Sequence, residues 1–135
     1  MSIATIVARV LLGLAFAAAG GLGLLIAFTV GPQPVPGYPL AQEFQSNAFH
    51  SHYVIFVQLV QLASGILLLI KRYVPLALMA SAAVLANILV YHITMMPIGI
   101  FPGLILCVCW ILVALQFKST LLPLLRAKPE PLTAA

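Results

Sequence analysis

YVIFVQLVQLASGILLLI, residues 53–70, runs without a charge into Lys71 and Arg72, and beyond Tyr73 a new apolar run opens at Val74 with Pro75 in its first turn. A bilayer core about 30 Å thick takes about 20 apolar residues in a helix, so an 18-residue run closed by two cations reads as a membrane span. A proline costs little in the first turn of a helix, where its missing N–H has no partner to lose. The chain repeats this pattern on both sides. Residues 10–30 are 21 residues without a charge, about 31 Å of helix at 1.5 Å per residue. A third run covers 74–96, and a fourth covers 98–117 and is closed by Lys118, its start blurred by Pro97, Gly99, Pro102 and Gly103. The expected fold is all-α, a membrane-spanning antiparallel four-helix bundle. One domain over 1–120, with spans at about 10–30, 53–70, 74–96 and 98–117, precedes a cytoplasmic tail at 121–135. Pro123, Pro129 and Pro131 argue against a long helix in that tail.

Composition supports this reading. Of 135 residues, 64% are hydrophobic and 6% charged, and mean hydropathy is +1.20. A soluble domain carries about 25% charged residues, and disorder needs low hydrophobicity; both are excluded. Glu43 and Glu130 are the only acidic residues, too few for a carboxylate-rich metal cage or a paired acid/base site. The net charge of +4 comes from six scattered cations. No basic patch interleaved with aromatics is present, so nucleic-acid binding is not expected.

With four spans, Arg9, Lys71, Arg72, Lys118, Arg126 and Lys128 all fall on one side, while residues 31–52 and 96–102 hold no Lys or Arg. The positive-inside rule then predicts a multi-pass protein of the cytoplasmic membrane with both termini cytoplasmic. A cleaved signal peptide is the competing reading, with Arg9 before an apolar stretch and small residues at Ala17, Ala18 and Ala19. Hydrophobicity continues unbroken to Val30, so a retained span is expected. Residues 31–52 read as one outer loop, its first part extended by Pro32, Pro34, Pro36 and Pro39. Arg9 and the Lys71–Arg72 pair read as cytoplasmic anchors.

Lipid gives helices no hydrophobic reason to associate, so small residues must let backbones approach. The first span offers Ala15, Ala19 and Gly23, and a parallel row at Ala17 and Gly21. Gln58, Gln61, Ser64 and Gly65 form one polar stripe on the second span at 100° per residue. Ala80, Ala83, Asn87, Tyr91 and Thr94 share a narrow face of the third. A polar seam between the second and third spans is expected. Its polar groups serve interhelical hydrogen bonding or a polar ligand, such as a quinone carbonyl. No ionised group sits at a span centre, which argues against an ion-driven transporter.

His50, His52 and His92 lie at the outer level with Tyr38, Glu43, Tyr53 and Tyr91. They read as a polar boundary belt, with metal binding by the three imidazoles and haem or pigment ligation by His92 as rival readings. Cys107 and Cys109 sit about 160° apart around one helix and cannot bond to each other within it. They read as small hydrophobes, as Trp110 reads as a packing or lipid-facing residue.

Arg9-Val-Leu-Leu-Gly13-Leu-Ala-Phe16 followed by Gly20, the stretch Gln61 to Leu78 with its Lys71-Arg72 turn, and Asn87-Ile-Leu-Val-Tyr-His92 together resemble the DoxX-like family of small four-helix membrane proteins. The resemblance covers most of residues 9–117. It implies a four-helix bundle in a prokaryotic cytoplasmic membrane and association with membrane oxidoreductases such as thiosulfate:quinone oxidoreductase. Gly21-Leu-Gly23-Leu stands where family members often carry a polar, Lys-containing segment, and Gln61 where a Glu often stands.

The leading functional expectation is an accessory, non-catalytic subunit of a larger redox, quinone-linked membrane complex. No motif for flavin, nicotinamide, haem c or iron–sulfur binding is present. The partners expected are the lipid bilayer and either a larger complex or a second copy. The alternative is a quinone-binding oxidoreductase component with His92, Asn87, Gln61 and Tyr91 around the head group. A haem- or pigment-carrying subunit is the third reading.

Overall fold

A computed structural model describes residues 1–128 and 130–131; the end of the expected tail, 129 and 132–135, lies outside the described residues. The chain is helical, with no strand among the described residues. Helix α1 is Ile3–Thr29, α2 Pro39–His50, α3 Tyr53–Leu69, α4 Val74–Thr94 and α5 Ile100–Gln116; a short turn, α6, at Lys118–Leu121 leads into a 3-10 turn at Leu122–Leu125. Three of these segments are long and apolar enough to cross a membrane, namely α1, α4, and α5 with its preceding turn. A fourth results if α2 and α3, bent by 88° at their junction, count as one. Large apolar side chains such as Leu14, Leu25, Phe56, Ile93 and Ile105 point outward. A soluble monomer rarely exposes so much contiguous apolar surface; a multi-pass membrane protein does.

Helix α1 begins earlier than the first charge-free run. The Ser2 hydroxyl accepts from the Thr5 N–H at 3.2 Å, satisfying one of the orphan donors of a helix start. Arg9 therefore lies within the helix, and it is not a surface anchor. It is 8% exposed, and its Nη1 donates to the carbonyls of Leu68 and Leu69. Those belong to the last turn of α3, where carbonyls lack helical partners and the helix dipole is negative.

Helices α1 and α3 meet at backbone distance. A Cβ on Gly20 would lie 2.5 Å from the Leu62 nitrogen, and one on Gly65 2.3 Å from the Ala17 nitrogen. Gly13 meets Leu69, Ala17 meets Gly65, Gly20 meets Leu62 and Gly23 meets Gln58, so numbers rise along one helix as they fall along the other. Absence of side chains is what lets the two approach. Gln58 and Gly65 of the polar stripe are thus turned toward α1, while α3 also packs on α4. Ser64 is buried and donates to the Val60 carbonyl at 2.7 Å.

On α4 the buried face is Val74, Ala77, Leu78, Ser81, Val84 and Leu85. The face expected to be interior is rotated away, leaving Ala83, Asn87 and Thr94 exposed. The cause is physical: a span apolar on every side carries little signal of which side meets protein. Trp110 Nε1 donates to the Leu78 carbonyl at 2.9 Å, and Gly103 lies under Ile88 and Leu89, so α4 and α5 also run in opposite directions. The same pairings put Arg9, Lys71, Arg72 and Lys118 at one end of the molecule.

Helix α2 was not expected. Pro32, Pro34 and Pro36 are non-helical, but Pro39 is the first residue of α2, a position that favours proline because its fixed φ suits the helix. His52, left-handed at φ 64°, turns the chain from α2 into α3.

Candidate ligand cavity

A cavity of about 350 Å³ opens at the end opposite the basic residues, between the last turns of α1 and α4, the first turns of α3, and α2. Its apolar walls include Ile26, Phe44, Phe49, Val57 and Ile88, and its polar groups include Gln45, Gln58, Asn87, Tyr91 and His92. Mostly apolar lining with a few placed polar groups is what small-ligand sites have in common.

Gln58 lies on the floor because residue 23 has no side chain: a Cβ on Gly23 would come within 2.3 Å of its Cδ. Its Oε1 is buried without a partner, a state that costs about 1–3 kcal/mol for a neutral group. The Nε2 makes no hydrogen bond among the described residues and is free to donate. Tyr91 stands on α4 under α2. Its hydroxyl accepts from Gln45 Nε2 at 2.8 Å, so its own proton remains available to a ligand. Phe44 packs on the Tyr91 ring at a centroid distance of 5.6 Å. The hydrogen bond and the ring pair both tie α2 to α4.

His92 stands edge-on to Tyr91 at 5.1 Å. Its Nδ1 lies 2.8 Å from the Ile88 carbonyl; a carbonyl only accepts, so Nδ1 carries the proton of the neutral ring. The Cδ2–Nε2 edge lies against Gly99, where a Cβ would come within 2.4 Å. Glycine at 99 thus makes room for the imidazole.

Three of the four expected site residues, His92, Asn87 and Tyr91, line this cavity. Gln61 does not; it is buried on α3, 7% exposed, and Gln58, three residues before it, takes the place on the floor. Gln45, Phe44 and Phe49, supplied by α2, were missed. Their signal was present: Pro39 at a helix start, then Ala41, Phe44, Ala48 and Phe49 at helical spacing. His50 and His52 are exposed outside the cavity, with Nδ1 turned to the carbonyls of Ser46 and His50 respectively. No group of three His, Cys, Asp or Glu is gathered among the described residues. Cys109 is buried in the core, and Cys107 is half-buried and free.

Compared with family models, curated proteins and solved structures, the chain matches none of them.

Proposed function

We propose that the chain is an antiparallel four-helix bundle of the cytoplasmic membrane, both termini cytoplasmic, whose outer cavity holds the head group of a quinone-type ligand. In this reading it serves as a quinone-binding component of a larger redox complex. One observation carries it: the cavity is walled by Ile26, Phe44, Phe49, Val57 and Ile88, and two of its lining residues carry uncommitted donors, Gln58 at Nε2 and Tyr91 at its hydroxyl. A quinone head group is a flat apolar ring with two carbonyl acceptors, so it needs apolar walls and a small number of donors. Asn87, also in the lining, adds a third donor. The chain has no motif for another redox group, so electrons would pass between the quinone and a partner subunit. The DoxX-like resemblance agrees with such an association. Haem or pigment ligation is less well supported, because the Nε2 edge of His92 lies against Gly99.

The test is equilibrium dialysis of the purified protein in nanodiscs against a short-chain ubiquinone. Saturable binding of one molecule per chain is expected. Gln58→Leu should weaken it up to about tenfold, the loss of one hydrogen bond. Ile88→Trp should fill the cavity and abolish binding, and Gln61→Leu should leave it unchanged. Absence of saturable binding, or wild-type affinity in Ile88→Trp, would refute the proposal.

A further inference from the structure

A second concavity lies at the basic end, independent of the quinone cavity. It is a groove of about 510 Å³ between α4, α5 and the segment that follows α5. Its walls include Met79, Ala82, Ile111, Leu115 and Leu121, and Lys118 is the one charged lining residue among the described residues. The floor is held in shape: Trp110, part of the lining, is fixed by its hydrogen bond to the Leu78 carbonyl. Beyond Lys118 the chain exposes Leu122, Leu124 and Leu125, the last at 80%. Lys118 stands before these leucines, and Arg126 and Lys128 after them. Apolar residues bracketed by cations at the end of a span suit the membrane–water boundary, with leucines in lipid and cations in the head-group layer.

We propose that this groove is a binding site for an anionic glycerophospholipid, one acyl chain along the trough between α4 and α5 and the phosphate beside Lys118. Shape and charge both select this occupant. An apolar trough accepts a hydrocarbon chain without unpaired polar groups. The Lys118 ammonium in the lining favours an anion over a zwitterion. A second copy of this chain is a poor complement, because it carries six cations against two carboxylates.

The test is native mass spectrometry of the delipidated full chain in mild detergent, with phosphatidylglycerol and phosphatidylcholine of identical acyl chains at equal concentration. The wild type should retain phosphatidylglycerol about fivefold better, the preference one basic residue supplies near the membrane surface. Lys118→Gln, an exposed substitution that leaves the fold intact, should remove most of that preference, while Arg72→Gln should retain it. Ala82→Trp should block the trough and lower retention of both lipids, its fold checked by circular dichroism. Equal retention of the two lipids by the wild type would overturn the proposal. So would an unchanged preference in Lys118→Gln, or an equal loss in Arg72→Gln, which would mark diffuse surface charge.

Discussion

The contact between α1 and α3 makes a quantitative prediction. In Gly65→Ala the new Cβ would sit 2.3 Å from the Ala17 nitrogen and 2.8 Å from both the Ala17 Cα and the Gly13 carbonyl oxygen. Ordinary contact starts near 3.4 Å, so the helices must part by about 1 Å. Every neighbour is backbone, and no rotamer change relieves the clash. Overpacking of this kind costs about 1–3 kcal/mol, while alanine regains up to about 1 kcal/mol over glycine in helix propensity. The net expectation is a loss of about 1–2 kcal/mol. Gly20→Ala, at 2.5 Å from the Leu62 nitrogen, should follow closely. Gly13→Ala meets chiefly the Leu69 side chain, at 2.9 Å, and should cost less. Gly21→Ala has only Leu62 Cδ1 at 3.9 Å, so it should be neutral or stabilising. Reversible unfolding of the four variants in mixed micelles, followed by circular dichroism, measures this order. A neutral Gly65→Ala, or a Gly21→Ala as damaging as Gly65→Ala, would refute direct backbone contact between these helices.

Two further substitutions probe the ties between elements. Arg9→Met keeps an apolar stem but strips the last turn of α3 of its donor; a loss of about 1.5–3 kcal/mol is expected for hydrogen bonds to a charged group, measured in the same unfolding assay and partly recovered in Arg9→Lys. Tyr91→Phe removes the hydroxyl that holds Gln45. It should cost about 0.5–1.5 kcal/mol and speed amide hydrogen exchange in residues 39–50, with α1 and α3 unchanged; unaltered exchange in α2 would show that the tether does not hold it.

Much of the helical layout was legible because bilayer thickness translates directly into run length. The run at 53–70 became α3, and the runs at 74–96 and 98–117 became α4 and α5 with their ends shifted by a few residues. The start of α1 was misjudged because a cation was treated as a boundary; Arg9 enters the helix interface by bonding carbonyls that need a donor. Rotation of the helices was harder to read. Gln58, Gln61 and Gly65 share a stripe that any count at 100° per residue reveals, but nothing along α3 says whether the stripe meets α1 or α4. The glycines of α1 bring Gln58 and Gly65 against that helix, through an approach that appears only in three dimensions. On α4, Asn87 and Tyr91 were grouped as interior with Ala80, Ala83 and Thr94 by a count at 100° per residue, whereas Val84 and Leu85 are buried and Asn87 is an exposed residue of the cavity lining. The cavity itself was half legible. His92, Asn87 and Tyr91 lie within one and a half turns of α4, but the roof depends on α2, which four closely spaced prolines had made look like an extended loop.

Photolabelling in native membranes tests the central claim most directly. An azido-quinone, irradiated and mapped by peptide mass spectrometry, should mark α2 and the facing turns of α3 and α4, residues 44–58 and 87–92, and excess unlabelled quinone should compete it away. Label confined to the groove at the basic end, or spread evenly over the lipid-facing surface without competition, would contradict a quinone site in the outer cavity.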